Sequence, residues 1–436
     1  MLKHLGFKWV GLRFIYACQK RLKWLVLTTP RKEWKQIKIR YGIKITAHEL
    51  KSLVHDRSFQ DYHNLVHSYK SEVFGVNPKT PWESPIQEAD DILNGTWKFY
   101  GHKKIKAGFP PDWHKNYITG ERVVSNIHWS KIGDFSNGDI KNIWELNRFS
   151  WVYPLVRAYW YSGDPKYPAG FWSLLEDWIN ENPPNSGVNW KCGQEITFRL
   201  MALCFARFGF TGFKPNRIGW KEVENIFYVS AHRIVKNISY ALSQNNNHGI
   251  SECIGLVMTA LLYPRFLKSQ LWMRCGITHL RRQIEDLVYE DGSFSQHSTN
   301  YHRVLLHDLV WIAQLLRLSG KGSPAWLDNA IKRAGEWIFQ VMDFESGAVP
   351  CYGPNDGSNI LPLTSCKYWD FRPVLSLSFA CVERAVIPPG PWNEALFWMG
   401  LNNSQNGKSA LNQSDLSAES GGYYTLRNTA GFLFAR

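Results

Sequence analysis

Ser243-Gln244-Asn245-Asn246-Asn247-His248-Gly249-Ile250-Ser251-Glu252 separates two stretches that read as helix. Asn and Gly favour a turn, and the apolar run behind it (Ile254, Leu256, Val257, Leu261, Leu262) has helical spacing. Ser251 or Asn247 is expected to cap that second helix. The turn therefore sets carboxamides and an imidazole at a helix N-terminus, where the dipole favours anions.

Working outward, helical periodicity runs from about 147 onward, over roughly 148–162, 168–181, 192–210, 221–243, 250–263, 267–289, 302–319, 324–343 and 373–387. The breaks between them are short, such as Ser162-Gly163-Asp164-Pro165 and Asn182-Pro183-Pro184-Asn185. Many helices joined by short loops predict antiparallel pairs. No fixed 34–45-residue period is visible, which favours an (α/α) incomplete toroid over a regular solenoid. The expected fold class is mainly α with a short β segment at the C-terminus. The expected divisions are a basic arm and helical lead-in over 1–95, a toroid over 96–400, a polar linker over 401–420, and the first strands of a β-sandwich over 421–436. Pro78-Lys79-Thr80-Pro81 is a break, and 96–101 reads as a strand.

The chain is long enough for a large core, and 15% of it is aromatic, with 21 Trp. Such a content suits an aromatic-lined sugar groove or a Trp-rich core. Of the +14 net charge, +10 lies in residues 1–50, where 12 Lys/Arg face only Glu33 and Glu49. The remainder is too weakly basic for a strong phosphate footprint, so no nucleic-acid partner is expected. Leu5, Trp9, Leu12 and Tyr16 share a helical face among Lys3, Lys8, Arg13 and Lys20, which suits either an anionic membrane surface or packing on the main domain. No run of 18 apolar residues exists, and Arg13 and Lys20-Arg21 interrupt the only leader-like segment, so no secretory signal is expected. The eight cysteines show no metal spacing and read as reduced, buried thiols of a cytoplasmic protein, membrane-associated if the arm docks on lipid.

Four further polar clusters stand out: Ile143-Trp144-Glu145-Leu146-Asn147-Arg148; Gly187-Val188-Asn189-Trp190 with Glu195 and Arg199; Glu290-Asp291-Gly292-Ser293-Phe294 with Asn300-Tyr301-His302; and Gly353-Pro354-Asn355-Asp356-Gly357-Ser358. In a toroid, loop ends on one face line a common groove. With Asn-Asn-Asn-His-Gly and Gly421-Gly422-Tyr423-Tyr424-Thr425-Leu426-Arg427, these motifs resemble the heparinase II/III-like family of polysaccharide lyases from about Trp97 to the end.

That resemblance implies a toroid followed by antiparallel sheets, and β-elimination at a 4-linked uronic acid of an acidic polysaccharide. Asn247, with His248 beside it, would neutralise the C6 carboxylate, and Tyr301 would act as acid, or as acid and base for one epimer. A phenolic base needs a cation nearby, for which Arg303, His302 or Arg199 are candidates. The expected substrate contacts are Trp144, Glu145, Asn147, Arg148, Asn189, Trp190, Glu195, Arg199, Asn246, His302, Asn355 and Asp356. Beside this, Glu195 and Arg199 at i, i+4 also read as a helical ion pair, Asp356 as a turn residue, and Trp144, Trp190 and Arg148 as structural. No cofactor or metal is expected in this chain. The family's further catalytic histidine, and often a metal, belong to a β-sandwich segment that has no counterpart before Arg436, so activity of the truncated chain is in question. A toroid-fold glycoside hydrolase using two of Glu145, Glu195, Asp291 and Asp356, or a non-catalytic glycan-binding protein, are the competing readings.

Overall fold

A computed structural model describes residues 2–42, 50–70, 84–133, 138–215, 217–384, 387–402, 412–428 and 431–436, with side chains from Val10 onward; side chains 2–9 and that of Lys70 lie outside the description. Pro78-Lys79-Thr80-Pro81 and the side chains of Leu5 and Trp9 are therefore outside the described residues.

The helices are α1 (Leu2–Arg21), α2 (Trp24–Thr28), α3 (Phe59–Lys70), α4 (Pro85–Leu93), α5 (Lys141–Asn147), α6 (Val152–Ser162), α7 (Lys166–Glu181), α8 (Gly193–Gly209), α9 (Trp220–Leu242), α10 (Asn247–Leu262), α11 (Ser269–Leu287), α12 (Thr299–Leu318), α13 (Ala325–Val341), α14 (Arg372–Cys381) and α15 (Glu394–Trp398). α6, α8, α10 and α12 are buried on almost every side and form the inner layer. α9, α11 and α13 bury one stripe against them and turn charge outward, as amphipathic helices must. α10 packs on α8, α9, α11 and α12, with Gly255 and Gly276 at the crossings. A Cβ on Gly255 would come within 2.4 Å of Thr197 Oγ1, and one on Gly276 within 2.8 Å of the Cys253 carbonyl.

This is an (α/α) incomplete toroid, and the two ends of its arc are pinned together. Arg157 on α6 donates to Glu394 on α15 at 2.7 Å and 3.0 Å, and Tyr62 on α3 donates to the same carboxylate at 2.5 Å. All three are fully buried.

α5 and α15 are too short to show a period in sequence, and neither was expected as a separate helix. Strands β1 (Thr96–Phe99) and β2 (Lys103–Lys106) form a hairpin at the entry to the arc. Strands β3 (Leu416–Ala418), β4 (Tyr423–Asn428) and β5 (Gly431–Ala435) form an antiparallel sheet in that order. β3 lies inside the stretch expected to be a polar linker. It pairs with β4 from Leu416 opposite Thr425 to Ala418 opposite Tyr423.

The sheet docks on the helical body. Tyr423 packs edge-on against Trp337 (ring centroids 5.0 Å apart), its hydroxyl lies 3.1 Å from His297 Nδ1, and the Gly421 N–H donates to Asp291 at 2.8 Å.

Candidate active site

The turn that opens α10 is capped by Asn246, not by Asn247 or Ser251: the Asn246 carboxamide accepts from the His248 N–H at 3.0 Å. That leaves Asn247 as the first helical residue, its N–H donating to Gln296 at 3.0 Å. The Asn247 carboxamide makes no hydrogen bond to the described residues, though the residue is buried. α12 begins the same way, Ser298 accepting from the Tyr301 N–H at 3.1 Å. The loop after α13 returns across this start, held by Ser298 Oγ donating to the Pro354 carbonyl at 2.5 Å.

Asp356 in that loop is the node of the site. Its carboxylate accepts from Tyr301 Oη (3.1 Å), Asn300 Nδ2 (3.2 Å) and Ser358 Oγ (2.7 Å), and Lys141 Nζ lies 3.7 Å away. Burial alone would raise the Asp356 pKa, but Arg148, the Ser358 hydroxyl, Lys141 and Tyr301 outweigh it and hold the carboxyl below its ordinary value. The consequence for Tyr301 is opposite. Burial first, then the Asp356 charge, push the phenol far up, and Arg148 only partly offsets them. Tyr301 is thus held as a neutral phenol.

Arg148 is gripped from two sides. Nε and Nη2 donate to Glu195 at 2.6 Å and 2.9 Å, Nη1 donates to Glu145, and Ser358 Oγ is 3.3 Å away. Burial raises Glu145 to about 7 against the pull of Arg148 and the Tyr100 N–H. His248 is pushed down to about 4, chiefly by burial, so it is a neutral imidazole. Its Nδ1 lies 3.6 Å from Cys192 Sγ, whose thiol burial keeps protonated. Beside Glu145 and Arg148 a small recess of about 70 Å³ opens, walled by Lys98, Trp151, Asn359 and Tyr368. Among the described residues no three His, Cys, Asp or Glu side chains are grouped closely enough to hold a metal ion.

These groups come from five separate segments, in the same sequence order as the motifs. Residues 79–356 match the sequence model of the heparinase II/III N-terminus. The chain belongs to the heparinase II/III family. It is similar to a heparin-sulfate lyase of Bacteroides stercoris, 25% identical over 320 residues, covering 68% of this chain and 45% of that protein. A heparin-sulfate lyase of Bacteroides thetaiotaomicron is 26% identical over 298 residues, covering 65% and 40%. The chain spans less than half the length of these curated relatives. A crystal structure of heparinase III covers 85% of this chain and 55% of its own, at a TM-score of 0.50 and 18% identity, which agrees with the toroid fold.

Within this heparinase II/III fold, several residues expected to meet substrate are instead internal struts. Trp190 is fully buried and, with Trp178, flanks Arg199. Arg199 donates to the Asn147 and Asn189 carbonyls, both at 2.8 Å. Asn147 and Asn189 each donate to the Trp113 carbonyl. Trp144 donates to the Val188 carbonyl within a small apolar cluster. His302 Nε2 donates to the Ala334 carbonyl at 2.9 Å and the ring stacks on Trp337, far too enclosed to contact a glycan. Glu195 pairs with Arg148 rather than with Arg199 on its own helix.

Most of the Trp content is likewise core, not groove. The cation facing Tyr301 is Arg148; Arg303 instead binds Asn300 and the Ser358 carbonyl and lies over Tyr368. Asn355 is exposed, and its side chain accepts from Tyr368 Oη and the Gly357 N–H. The residues that come together are thus Glu145, Arg148, Glu195, His248, Tyr301 and Asp356, with Asn247 at the adjoining helix start. Lys141 and Tyr368 were not singled out from sequence, and Asn300 and Ser358 stood in the polar clusters without a role of their own. Ser358 carried a signal, since a hydroxyl two residues after an Asp commonly closes a turn on it. All eight thiols are free, and Cys351 is exposed rather than buried as expected.

Beneath the turn, Glu252 has one carboxylate oxygen with no hydrogen-bond partner among the described residues. Burial raises its pKa from 4.5 to about 8, against Arg233 and the Gly193 N–H. A raised carboxyl contributes stability that is complete below about pH 4.5 and lost as pH rises through about 8. Glu252→Gln keeps the shape without the titration. Its melting temperature relative to the native chain is expected to rise between about pH 5 and about pH 9. A constant difference across that range would contradict the assignment.

Proposed function

We propose that this chain carries the helical half of a polysaccharide lyase site that cleaves a uronate-containing glycan, of the glycosaminoglycan class, by β-elimination. The observation that carries the reading is the Tyr301–Asp356 pair, a half-buried phenol kept neutral and aligned by a carboxylate. Elimination needs three things: charge neutralisation at C6, removal of the C5 proton, and a proton for O4 as the C4–O4 bond breaks. Asn247, with a carboxamide not engaged by the described residues at a helix N-terminus, suits the first, and the neutral His248 beside it can donate or accept a hydrogen bond there. Tyr301 suits the third: its proton goes to O4 as the C4–O4 bond breaks, and the C5–H electron pair becomes the C4–C5 double bond. The C5 proton passes to a general base, the role that the family resemblance gives to a histidine of the β-sandwich segment. The neighbouring Asp356 charge argues against Tyr301 as the base, because a phenolate there would face a carboxylate.

Hydrolysis is supported less well. Glu145 and Glu195 are both committed to Arg148, and Asp291 is committed to Ser293 and to the Gly421 N–H. A carboxyl-reduced glycan tests the reading. Elimination depends on the C6 carboxylate to acidify C5, so the uronate polymer is expected to be cleaved and its carboxyl-reduced counterpart left intact. Equal cleavage of both would sink the proposal and favour hydrolysis.

A further inference from the structure

A second surface lies away from this site, on the arm and the outer helices it crosses. Arg13 and Tyr16 of α1 pack on Tyr240 of α9, and Leu25 of α2 is buried against the body. Those anchors hold the turn between α1 and α2 in a fixed orientation. On its open side Leu22, Trp24 and Leu27 are 75%, 54% and 71% exposed, far beyond what packing would leave. Lys20, Arg21 and Lys23 are exposed between them, and from Val10 to Gly42 the only acidic residue is Glu33.

The cationic character continues onto the body. Lys32, Arg40, Lys236 and Lys268 all lie near enough to His232 to help burial push it down to about 4. Leu267 and Leu271 are exposed beside Lys268. The nearby acid Glu224 is already bound to Lys221 and to Tyr41 Oη.

We propose that this face is a docking surface for an anionic lipid bilayer, with Leu22, Trp24 and Leu27 entering the interface and the surrounding Lys and Arg contacting lipid phosphates. Charge complementarity selects the occupant. A second copy of this face would bring like charges together. A sulfated glycan would satisfy the cations but gain nothing from three exposed apolar side chains. A bilayer with acidic headgroups uses both, and an amphipathic, Trp-bearing, cation-flanked segment is suited to the headgroup level. No described helix is long and apolar enough to cross a membrane, so the contact would be peripheral.

The test is flotation of the full chain with vesicles of phosphatidylcholine alone or mixed with phosphatidylglycerol, at low and high salt. The native chain is expected to float with the mixed vesicles, far less with the neutral ones, and less at high salt. Lys20→Gln/Arg21→Gln/Lys23→Gln is expected to lower the partition coefficient on the order of a hundredfold, with each charge near the surface contributing separately. Leu22→Ser/Trp24→Ser/Leu27→Ser should also lose binding while retaining retention on heparin. All six positions are exposed, so unchanged melting temperatures serve as the folding control, and the lipid and salt dependence of the native chain stands without any variant. Failure to float with anionic vesicles overturns the proposal. So does equal binding to both vesicle types, heparin binding through Lys20, Arg21 and Lys23 without vesicle binding, or a dimer in solution that the Leu22/Trp24/Leu27 variant dissociates.

Discussion

Tyr301→Phe is expected to lower kcat on the order of a hundred- to ten-thousandfold on a cleavable uronate glycan, with KM nearly unchanged. The substitution removes one hydroxyl and nothing else. Asp356 keeps Asn300, Ser358 and Lys141 as partners, so its loop should hold its place and the melting temperature should barely move. What is lost is the proton donor to O4, needed only as the bond breaks, which is why the loss should fall on kcat. The profile against pH separates this from a base role. A phenol acid pushed far above its ordinary pKa does not impose an alkaline decline near neutrality, whereas a phenolate base would make the rate climb steeply with pH. A modest loss confined to KM would show that Tyr301 only lines the groove.

The second large effect concerns the closure of the arc. Arg157→Met is expected to destabilise the fold by about 3–5 kcal/mol, because Glu394 would remain as a buried charge with only Tyr62 and Trp398 as side-chain donors among the described residues. Arg157→Met combined with Glu394→Met should recover much of that loss, since replacing both partners removes the uncompensated charge. Chemical denaturation of the two variants measures the difference. If the double variant is no better than the single one, the two residues act mainly through packing, and the ion pair does not pin α6 to α15.

The contrast between these two sites shows what the sequence could disclose. The helices of the toroid were legible because their period is local: the observed boundaries of α6 to α13 lie within about four residues of the expected runs, while α14 ends at Cys381, six residues before the expected 387. α5 and α15 have too few turns to declare a period. β3 sits in a polar stretch without alternation and becomes a strand only because β4 offers it a partner.

The site clusters were legible as residue types in order, and the family resemblance they carried matches the family found. Their partners were not legible, because direction is a tertiary property. Arg199 stands one helical turn from Glu195, the spacing of an ion pair. Yet Arg148, 47 residues earlier in the chain, takes that carboxylate, while Arg199 turns to two backbone carbonyls. Asp356 read mainly as a turn residue, and it does close its own turn on Ser358, but it also receives Tyr301 from 55 residues away. Trp144, Trp190 and Asn189 show the converse: they stand in the polar motifs, yet all three are buried and hold the framework behind the site.

The central claim is that this fold eliminates across C4 and C5 of a uronate with Tyr301 as the acid. The most direct measurement is ultraviolet absorbance of the reaction mixture when the chain is offered a panel of uronate polysaccharides, heparan sulfate among them. Elimination leaves a conjugated, absorbing unsaturated end, and the account predicts an absorbance rise with the native chain that is nearly abolished in Tyr301→Phe. Cleavage of the polymer without that absorbance, or a rise that Tyr301→Phe leaves untouched, would contradict it.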